Sequence, residues 1–319
     1  MTAAPSFGTA FTDHMAVSTW RRGVGWAPVE VVPVAATGLH PAAAVLHYGQ
    51  SIFEGAKAFR NADGSIHLFR VADHAARMAR SARRMAMPEL GEDQFIEALV
   101  VLVSRDAGHL GAEPGSALYL RPFMIATDAR LGAATPPDTF QLTVIASPTP
   151  AVLPVAVSSR IRVWVCDEYV RACLGGTGNM KTAANYALSM LGQADARERD
   201  CNQAVWLDAI ERRWVEELGA MNLFFVYGQG AQARLVTPPL GDTVLAGITR
   251  DTVIRLASEL SIPVEQHPVS IEDWQGGCER GEITEVFATG TASGIKLIGE
   301  VCRGMGCWSV GAANLALSR

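Results

Sequence analysis

Lysine is rare in this chain of 319 residues, which contains Lys57, Lys181 and Lys296 and no other. The 27 basic residues are dispersed and are outnumbered by 32 acidic residues, so that the net charge is -5. Nucleic acids are bound by dense positive surfaces that neutralise several phosphates. The composition therefore predicts no nucleic-acid partner, and it makes each of the three lysines a candidate for special chemistry.

Long apolar runs and cysteine motifs are missing as well. No stretch approaches the roughly 18 apolar residues of a membrane helix, so we expect no membrane partner. Residues 1–20 lack the charged and then apolar layout of a signal peptide. The six cysteines show neither C-x-x-C pairs nor the spacing of a metal site, so no metal is expected. Six free thiols in a reducing cytoplasm are the resulting prediction.

The length of the chain predicts two domains. We expect a small N-terminal α/β domain at 1–146, a connection at 147–155, and a larger C-terminal α/β domain at 156–319 that carries Lys181. Prolines interrupt both helices and strand ladders in the connection. Mixed elements in both halves indicate an α/β enzyme with α+β character.

Hydrophobic periodicity predicts the main elements. Strands are expected at 29–34, 46–48, 56–59, 66–69, 117–126, 139–147, 161–166, 203–207 and 222–227. Helices are expected at about 75–85, 93–105, 183–198 and 250–260. From Val301 onward the sequence is rich in small residues and predicts no element.

A glycine-rich turn, Gly175–Gly178, comes shortly before Lys181. A lysine in such a turn can hold a phosphate, form a Schiff base with a carbonyl, or be structural. The spacing from Gly175 to Lys181 fits a P-loop, but Met180 stands where that motif requires glycine. Spacing alone leaves these alternatives open.

Two further turns could bind an anion. Gly247, Ile248 and Thr249 precede an apolar helical stripe, where backbone amides suit a phosphate. An ordinary Thr249 N-cap is the structural alternative. The small residues at 287–294 follow an apolar strand and either bind an anion or form a tight turn.

Three sets of charged residues have both a functional and a structural interpretation. Arg77 shares a predicted helix face with other arginines, which is typical of a solvated face. Tyr119 and Arg121 lie two apart on a strand, so that both project from one side and can bind a carboxylate. Glu216 and Glu217 are adjacent on a strand, and we expect one to face a site and the other water.

Taken together, these segments resemble the branched-chain-amino-acid aminotransferases, which are two-domain, fold-type-IV (D-amino-acid aminotransferase-like) pyridoxal-phosphate enzymes. Ordered agreement spans roughly residues 20–300. The segments that carry it are 46–55, 119–122, 175–186, 216–222, 235–239, 247–250 and 285–292.

The resemblance implies that pyridoxal 5'-phosphate is the cofactor and that Lys181 carries it covalently and moves the substrate proton. Glu217 would pair with the pyridine nitrogen and Tyr186 with the phenolate oxygen. The residues implied in phosphate binding are Arg77, Ile248, Thr249 and Thr291.

The same resemblance implies ping-pong transamination between leucine, isoleucine or valine and 2-oxoglutarate. Tyr119, Arg121 and the Thr291–Ala292 amides would recognise the carboxylate. Apolar walls would come from Tyr48 and Phe53. Leu131 of a partner subunit would complete them, which implies a homodimer.

Several positions depart from the family pattern, namely Val152, Ala220, Ala246 and Lys296, together with the short tail after Val301. Other interpretations are a D-amino-acid transaminase, an aminodeoxychorismate lyase, a P-loop nucleotide-binding module, or a non-catalytic protein that binds the cofactor. The Tyr119 and Arg121 pair argues against the first two.

Overall fold

The computed structural model describes residues 7–113, 115–132, 135–149 and 160–311. The chain divides into two compact units. Unit 1 comprises Met1–Leu153 together with Met180–Ala184, and unit 2 comprises Pro154–Asn179 and Asn185–Arg319. The contacts of the short second segment thus group Lys181 with unit 1, although it follows residue 155 in sequence. The domain bounds 1–146 and 156–319 stay a prediction.

The described part of unit 1 is built on one antiparallel sheet. Its strands are β1 (His14–Arg21), β2 (Gly25–Trp26), β3 (Glu30–Pro33), β4 (Ser51–Phe53), β5 (Ala56–Arg60), β6 (Ile66–Leu68), β7 (Ala117–Ala126) and β8 (Thr139–Thr149). The order is β2-β1-β8-β7-β5-β6, with β3 beside β1 and β4 beside β7. The helices are α1 (Ala44–Tyr48), α2 (Val71–Arg84) and α3 (Glu92–Arg105), followed by a 3-10 turn at Ala107–His109.

Periodic apolar positions explain how the helices of unit 1 pack. Ala75, Met78 and Ala82 recur at helical spacing along α2 and are buried. Phe95 and Leu99 do the same on α3. These side chains join the buried face of the sheet in one core, which holds β4, β5 and β7 in place.

Unit 2 contains a mixed sheet. The described strands are β9 (Ile161–Cys166), β10 (Gln203–Leu207), β11 (Val215–Leu218), β12 (Asn222–Tyr227), β13 (Arg234–Thr237), β14 (Val264–Gln266), β15 (Ile283–Gly290), β16 (Gly294–Arg303) and β17 (Gly306–Ser309). The order is β11-β10-β9-β16-β15-β12-β13-β14, with β17 beside β16. Strand β9 is parallel to both of its neighbours, and β13 is parallel to β14.

The helices of unit 2 are α4 (Ala183–Glu198), α5 (Ile248–Glu259) and α6 (Ile271–Glu279), and a 3-10 turn lies at Gly230–Gln232. Helix α6 has a Ser270 N-cap whose side chain accepts from the Asp273 amide. Among the described residues, no helix is long and apolar enough to cross a membrane.

Most of the predicted elements are confirmed within a few residues, but Leu46–Tyr48 is wrong. It lies in helix α1 rather than in a strand. Three apolar residues are too few for periodicity to separate a strand from a helix. The helix ends at Gly49, whose φ of 60° is left-handed and whose amide donates to the Val45 carbonyl.

Strand β8 continues to Thr149, three residues into the predicted connection at 147–155. Strand β1 pairs with β8 only as far as Ile145, so Pro148 meets a neighbouring strand on one side. Proline is tolerated at such edge positions because its missing N–H breaks no ladder bond. Residues 150–155 lie outside the described part of the chain.

The segment after Val301 forms a hairpin, β16 followed by β17, where the sequence predicts no element. The hairpin register places Cys302 opposite Cys307, and the two form a disulfide. The prediction of six free thiols is therefore wrong for this pair. The part of the prediction that concerns residues 312–319 lies outside the described residues.

Candidate active site

Lys181 is held against strand β4 by its backbone. Its carbonyl accepts from the Phe53 amide at 3.0 Å, and its own amide donates to Ser81 Oγ at 3.0 Å. The next residue, Thr182, is fully buried and donates to the Ser51 carbonyl at 2.8 Å. These bonds set the point from which the Lys181 side chain extends, beside the Phe53 ring.

The glycine turn before Lys181 does not form a phosphate cradle. The Gly175 amide donates to the Asp242 carboxylate at 3.2 Å, and the Asn179 amide donates to the Asp242 carbonyl at 2.9 Å. A P-loop needs its amides to point at the phosphate. The P-loop alternative for Lys181 is therefore wrong.

Phe53, Tyr119 and Arg121 form a cluster on β4 and β7, and Lys181 lies beside it. Arg121 Nη2 donates to Tyr119 Oη at 3.0 Å, and the Arg121 Cζ atom is 4.7 Å from the Phe53 ring centroid. Lys181 Nζ is 5.0 Å from the same centroid. A Cβ atom at Gly55 would overlap the Tyr119 hydroxyl, so glycine is required there. The predicted lysine and the predicted carboxylate-binding pair thus share one aromatic ring.

Arg77 is buried, so the interpretation of its helix face as solvated is wrong for this residue. Only 4% of Arg77 is exposed, whereas Arg80 and Arg84 are exposed. Arg77 Nε and Nη2 donate to the two carboxylate oxygens of Glu54, both at 2.8 Å. His74 Nδ1 lies 2.7 Å from Glu54 Oε2. The group is therefore a buried ion pair extended by a histidine.

Opposing effects act on the Glu54 carboxyl. Burial raises its pKa, but the Arg77 charge and hydrogen bonds from Arg77 and His74 together hold that pKa far below its ordinary value. Glu54 is consequently an anion that orients the Arg77 guanidinium.

Tyr48 and Leu131 meet at the surface of unit 1. The Tyr48 hydroxyl donates to the Leu131 carbonyl. Their exposed fractions, 45% and 66%, leave both side chains accessible in the single chain.

In unit 2, Glu217 is a buried carboxylate with three partners. Its Oε1 accepts from the Leu245 amide at 2.7 Å and from Asn222 Nδ2 at 3.4 Å, and its Oε2 lies 3.3 Å from Arg171 Nη2. Glu216 is also buried, and burial raises the pKa of its carboxyl. The expectation that one of the two glutamates faces water is therefore wrong.

Asn222 connects Glu217 to the start of helix α5. Its Nδ2 also donates to the Leu245 carbonyl at 2.9 Å, and a Cβ atom at Gly247 would overlap its Oδ1. Gly247 is the N-cap of α5 and no side chain caps the helix, so the alternative of a Thr249 N-cap is wrong. A helix start without a side-chain cap can offer backbone amides to an anion.

Thr291 and Ala292 lie in the turn that joins β15 to β16. Strand β15 pairs with β12 so that Thr289 is opposite Asn222. Glu217, the start of α5 and this turn therefore meet around Asn222 within unit 2. Of the other predicted residues of unit 2, Ile248 is 6% exposed and Tyr186 is half-buried on α4.

The departures from the family pattern are mild where the structure describes them. Ala220 is exposed in the turn between β11 and β12, and Ala246 is half-buried just before the α5 N-cap. Lys296 is exposed on β16, so its charge is solvated. Val152 lies outside the described residues.

Four residues with clear contacts were not predicted from the sequence: Glu54, His74, Arg171 and Asn222. Glu54 and Asn222 stand inside segments that carry the resemblance, so that resemblance is the signal that could have included them. His74 precedes Arg77 by three residues, which places both on one helix face. Nothing in the sequence around Arg171 indicates its contact with Glu217.

Comparison with known proteins agrees with this arrangement. The sequence pattern described as "Amino-transferase class IV" matches residues 51–301. The branched-chain-amino-acid aminotransferase of Mycolicibacterium smegmatis is 49% identical over 300 residues, which cover 94% of this chain and 81% of that protein. The chain therefore belongs to the amino-transferase class IV family.

Solved structures show the same fold. A branched-chain amino acid aminotransferase from Escherichia coli has a TM-score of 0.74 and 27% identity, covering 94% of this chain and 88% of its own. Another, from T.th. and in complex with N-(5'-phosphopyridoxyl)-L-glutamate, has a TM-score of 0.71 and 26% identity, covering 90% and 86%. The fold class is the α/β fold-type-IV architecture predicted from the sequence.

Proposed function

We infer that this chain is a branched-chain-amino-acid aminotransferase. It transfers the amino group of leucine, isoleucine or valine to 2-oxoglutarate and uses pyridoxal 5'-phosphate. The observation that carries this inference is the position of Lys181 Nζ, 5.0 Å from the Phe53 ring that also packs against Arg121. The 49% identity to a branched-chain-amino-acid aminotransferase supports the substrate class.

The chain offers donors that suit this cofactor. Helix α5 starts without a side-chain cap, which suits a phosphate. Glu217 is a buried carboxylate, which suits a protonated ring nitrogen. When bound, the cofactor supplies an electron sink for the substrate carbon. The residues that would hold it are Arg77, Lys181, Tyr186, Glu217, Ile248, Thr249 and Thr291.

Lys181 holds and moves the proton in this proposal. Its amine must be neutral to accept a proton from the substrate carbon, and a cationic neighbourhood favours the neutral form. The Arg121 guanidinium packs on the ring beside Lys181 Nζ and contributes such a charge. The backbone bonds of Lys181 to Phe53 and Ser81 keep the amine in one position, as proton transfer requires.

Glu217 acts through its charge. Its carboxylate accepts from the Leu245 amide and lies beside Arg171, which keeps it oriented inside unit 2. A hydrogen bond from the ring nitrogen to this carboxylate would keep that nitrogen protonated. The cofactor would thereby keep its capacity to withdraw electrons.

The substrate is recognised at its carboxylate and at its aliphatic side chain. Tyr119 and Arg121 share a hydrogen bond and are placed to bind the carboxylate, together with the amides of Thr291 and Ala292. Walls for the side chain come from Phe53, Tyr48 and a partner's Leu131. We propose a cytoplasmic homodimer on this basis, because Tyr48 and Leu131 are exposed in the single chain.

A donor panel on the holoenzyme tests the function. We expect leucine, isoleucine, valine and glutamate each to convert the visible absorption of the lysine-bound cofactor to that of the pyridoxamine form. Lys181→Ala should abolish this change, whereas Lys296→Ala, the matched removal of an exposed lysine, should not. Turnover of D-alanine alone, or no response to any donor, would overturn the proposal.

A further inference from the structure

Lys57 lies beside the predicted carboxylate-binding pair. Strand β5 is antiparallel to β7, and the register makes Lys57 the direct partner of Tyr119. Direct partners in an antiparallel pair project from the same face, with Cβ atoms roughly 4.5–5.5 Å apart. Lys57 therefore emerges from the same face of the unit 1 sheet as Tyr119.

The register extends this face along both strands. Phe53 pairs with Phe123 on β7, so alternate residues of the two strands share one side. Arg121 lies two residues from Tyr119 and packs on Phe53, which places it on that side as well. Lys57, Arg121 and Lys181 thus bring three basic side chains to one aromatic cluster.

Two of these cations lack an acidic partner. Among the described residues, no carboxylate lies within ion-pair distance of Lys57 or Arg121. The Arg121 Nε atom is buried and has no hydrogen-bond partner in that part of the chain. Arg77, in contrast, is fully engaged with Glu54 through two bonds of 2.8 Å.

An unpaired cation that is half-buried carries a cost unless a ligand compensates it. Burial lowers the pKa of the Lys57 ammonium, as expected of a cation without an anion nearby. A carboxylate beside Lys57 would remove this penalty. Two cations on one face match the two carboxylates of an acidic substrate.

We propose that Lys57 determines the specificity for the acidic substrate by binding the side-chain carboxylate of glutamate or 2-oxoglutarate. This inference rests on the proposed function, in which one site accepts both aliphatic and acidic substrates. With leucine, the apolar stem of Lys57 lines the site and its ammonium turns toward water, as long cationic side chains do. With glutamate, the ammonium meets the second carboxylate.

The test measures binding of two substrate analogues to the holoenzyme by isothermal titration calorimetry. Glutarate carries two carboxylates, and 4-methylpentanoate carries one carboxylate and a leucine-like side chain. We expect Lys57→Met to weaken glutarate roughly tenfold to a hundredfold, because a charged hydrogen bond is lost. The loss for 4-methylpentanoate should be at least about five times smaller, by the order-of-magnitude selectivity of that bond.

Two further variants make the result interpretable. Lys57→Arg keeps the cation and should recover most of the glutarate affinity. Lys296→Met removes the same charge from an exposed position and should alter neither affinity. Equal weakening of both analogues by Lys57→Met, or no weakening of either, would overturn the role of Lys57. Failure of the unmodified holoenzyme to transaminate leucine would instead overturn the proposed function itself.

Discussion

Glu54 shows how a single buried residue can support a predicted binding residue. It is fully buried, and both of its oxygens are occupied by Arg77 and His74. An unpaired guanidinium at the Arg77 position would rotate and would carry the full cost of burial. Glu54 is therefore expected to position Arg77, which the family resemblance assigns to the phosphate.

The ion pair of Glu54 should make stability depend on pH in the acid range. The folded-state pKa of Glu54 lies below its unfolded value, so the ion pair stabilises the fold fully above the unfolded pKa of about 4.3. This stabilisation is lost as the pH falls through the folded-state pKa. Glu54→Gln should lower the free energy of unfolding at pH 7 by roughly 3–5 kcal/mol. Urea unfolding measures both variants.

The difference between wild type and Glu54→Gln should narrow below about pH 4.3, since protonation removes the same charge from the wild type. Glu97→Gln, which changes an exposed glutamate of α3, is the matched control and should be neutral at every pH. A gap between wild type and Glu54→Gln that stays constant from pH 7 to pH 3 would contradict this account.

At the scale of elements, the start of helix α5 and the turn that carries Asn222 are interlocked. Gly247→Ala should displace Asn222, because the new Cβ atom would overlap Asn222 Oδ1. Glu217 would then lose one of its donors. We expect the affinity for pyridoxal 5'-phosphate to fall roughly tenfold, the value of one hydrogen bond to a charged group. Titration of the apoenzyme followed by absorbance measures this change.

Gly241→Ala provides the control for Gly247→Ala. Nothing lies within 4 Å of a Cβ atom at Gly241, so the same substitution there should leave cofactor affinity unchanged. Equal effects of the two substitutions would show that the contact with Asn222 is not the cause.

The hairpin of β16 and β17 is closed by the Cys302–Cys307 disulfide, across a sequence separation of 5. A loop of this length implies roughly 2 kcal/mol of stabilisation from the restricted unfolded chain. Reductant should therefore lower the urea midpoint of the wild type but not that of the Cys302→Ser, Cys307→Ser variant. Cys173→Ser, at an exposed free cysteine, should behave like the wild type, and a wild type insensitive to reductant would exclude the effect.

For the whole molecule, the proposed homodimer gives a direct prediction. Sedimentation equilibrium should report twice the chain mass of 34.0 kDa. Leu131→Asp should raise the KM for leucine roughly tenfold and weaken the dimer, because it places a charge where an apolar contact is proposed. Ile210→Asp alters an equally apolar residue that is 75% exposed and should change neither property. A monomer with full activity would contradict the prediction.

The sequence by itself determined the class of fold and most of the elements. Helices α2 and α3 and strand β7 follow from local periodicity, which depends only on neighbouring residues. Lys181, Glu217 and the Tyr119 and Arg121 pair were identified through the ordered resemblance. Local pattern could not separate helix from strand at Leu46–Tyr48, where only three residues were available.

Tertiary structure alone decided which charges are buried and what they contact. Arg77 shares its helical spacing with the exposed Arg80, and only Glu54, 23 residues away, removes it from water. The pairing of Cys302 with Cys307 and of Lys57 with Tyr119 depends likewise on strand register. Register and burial arise from contacts between distant segments, so no local pattern in the sequence can contain them.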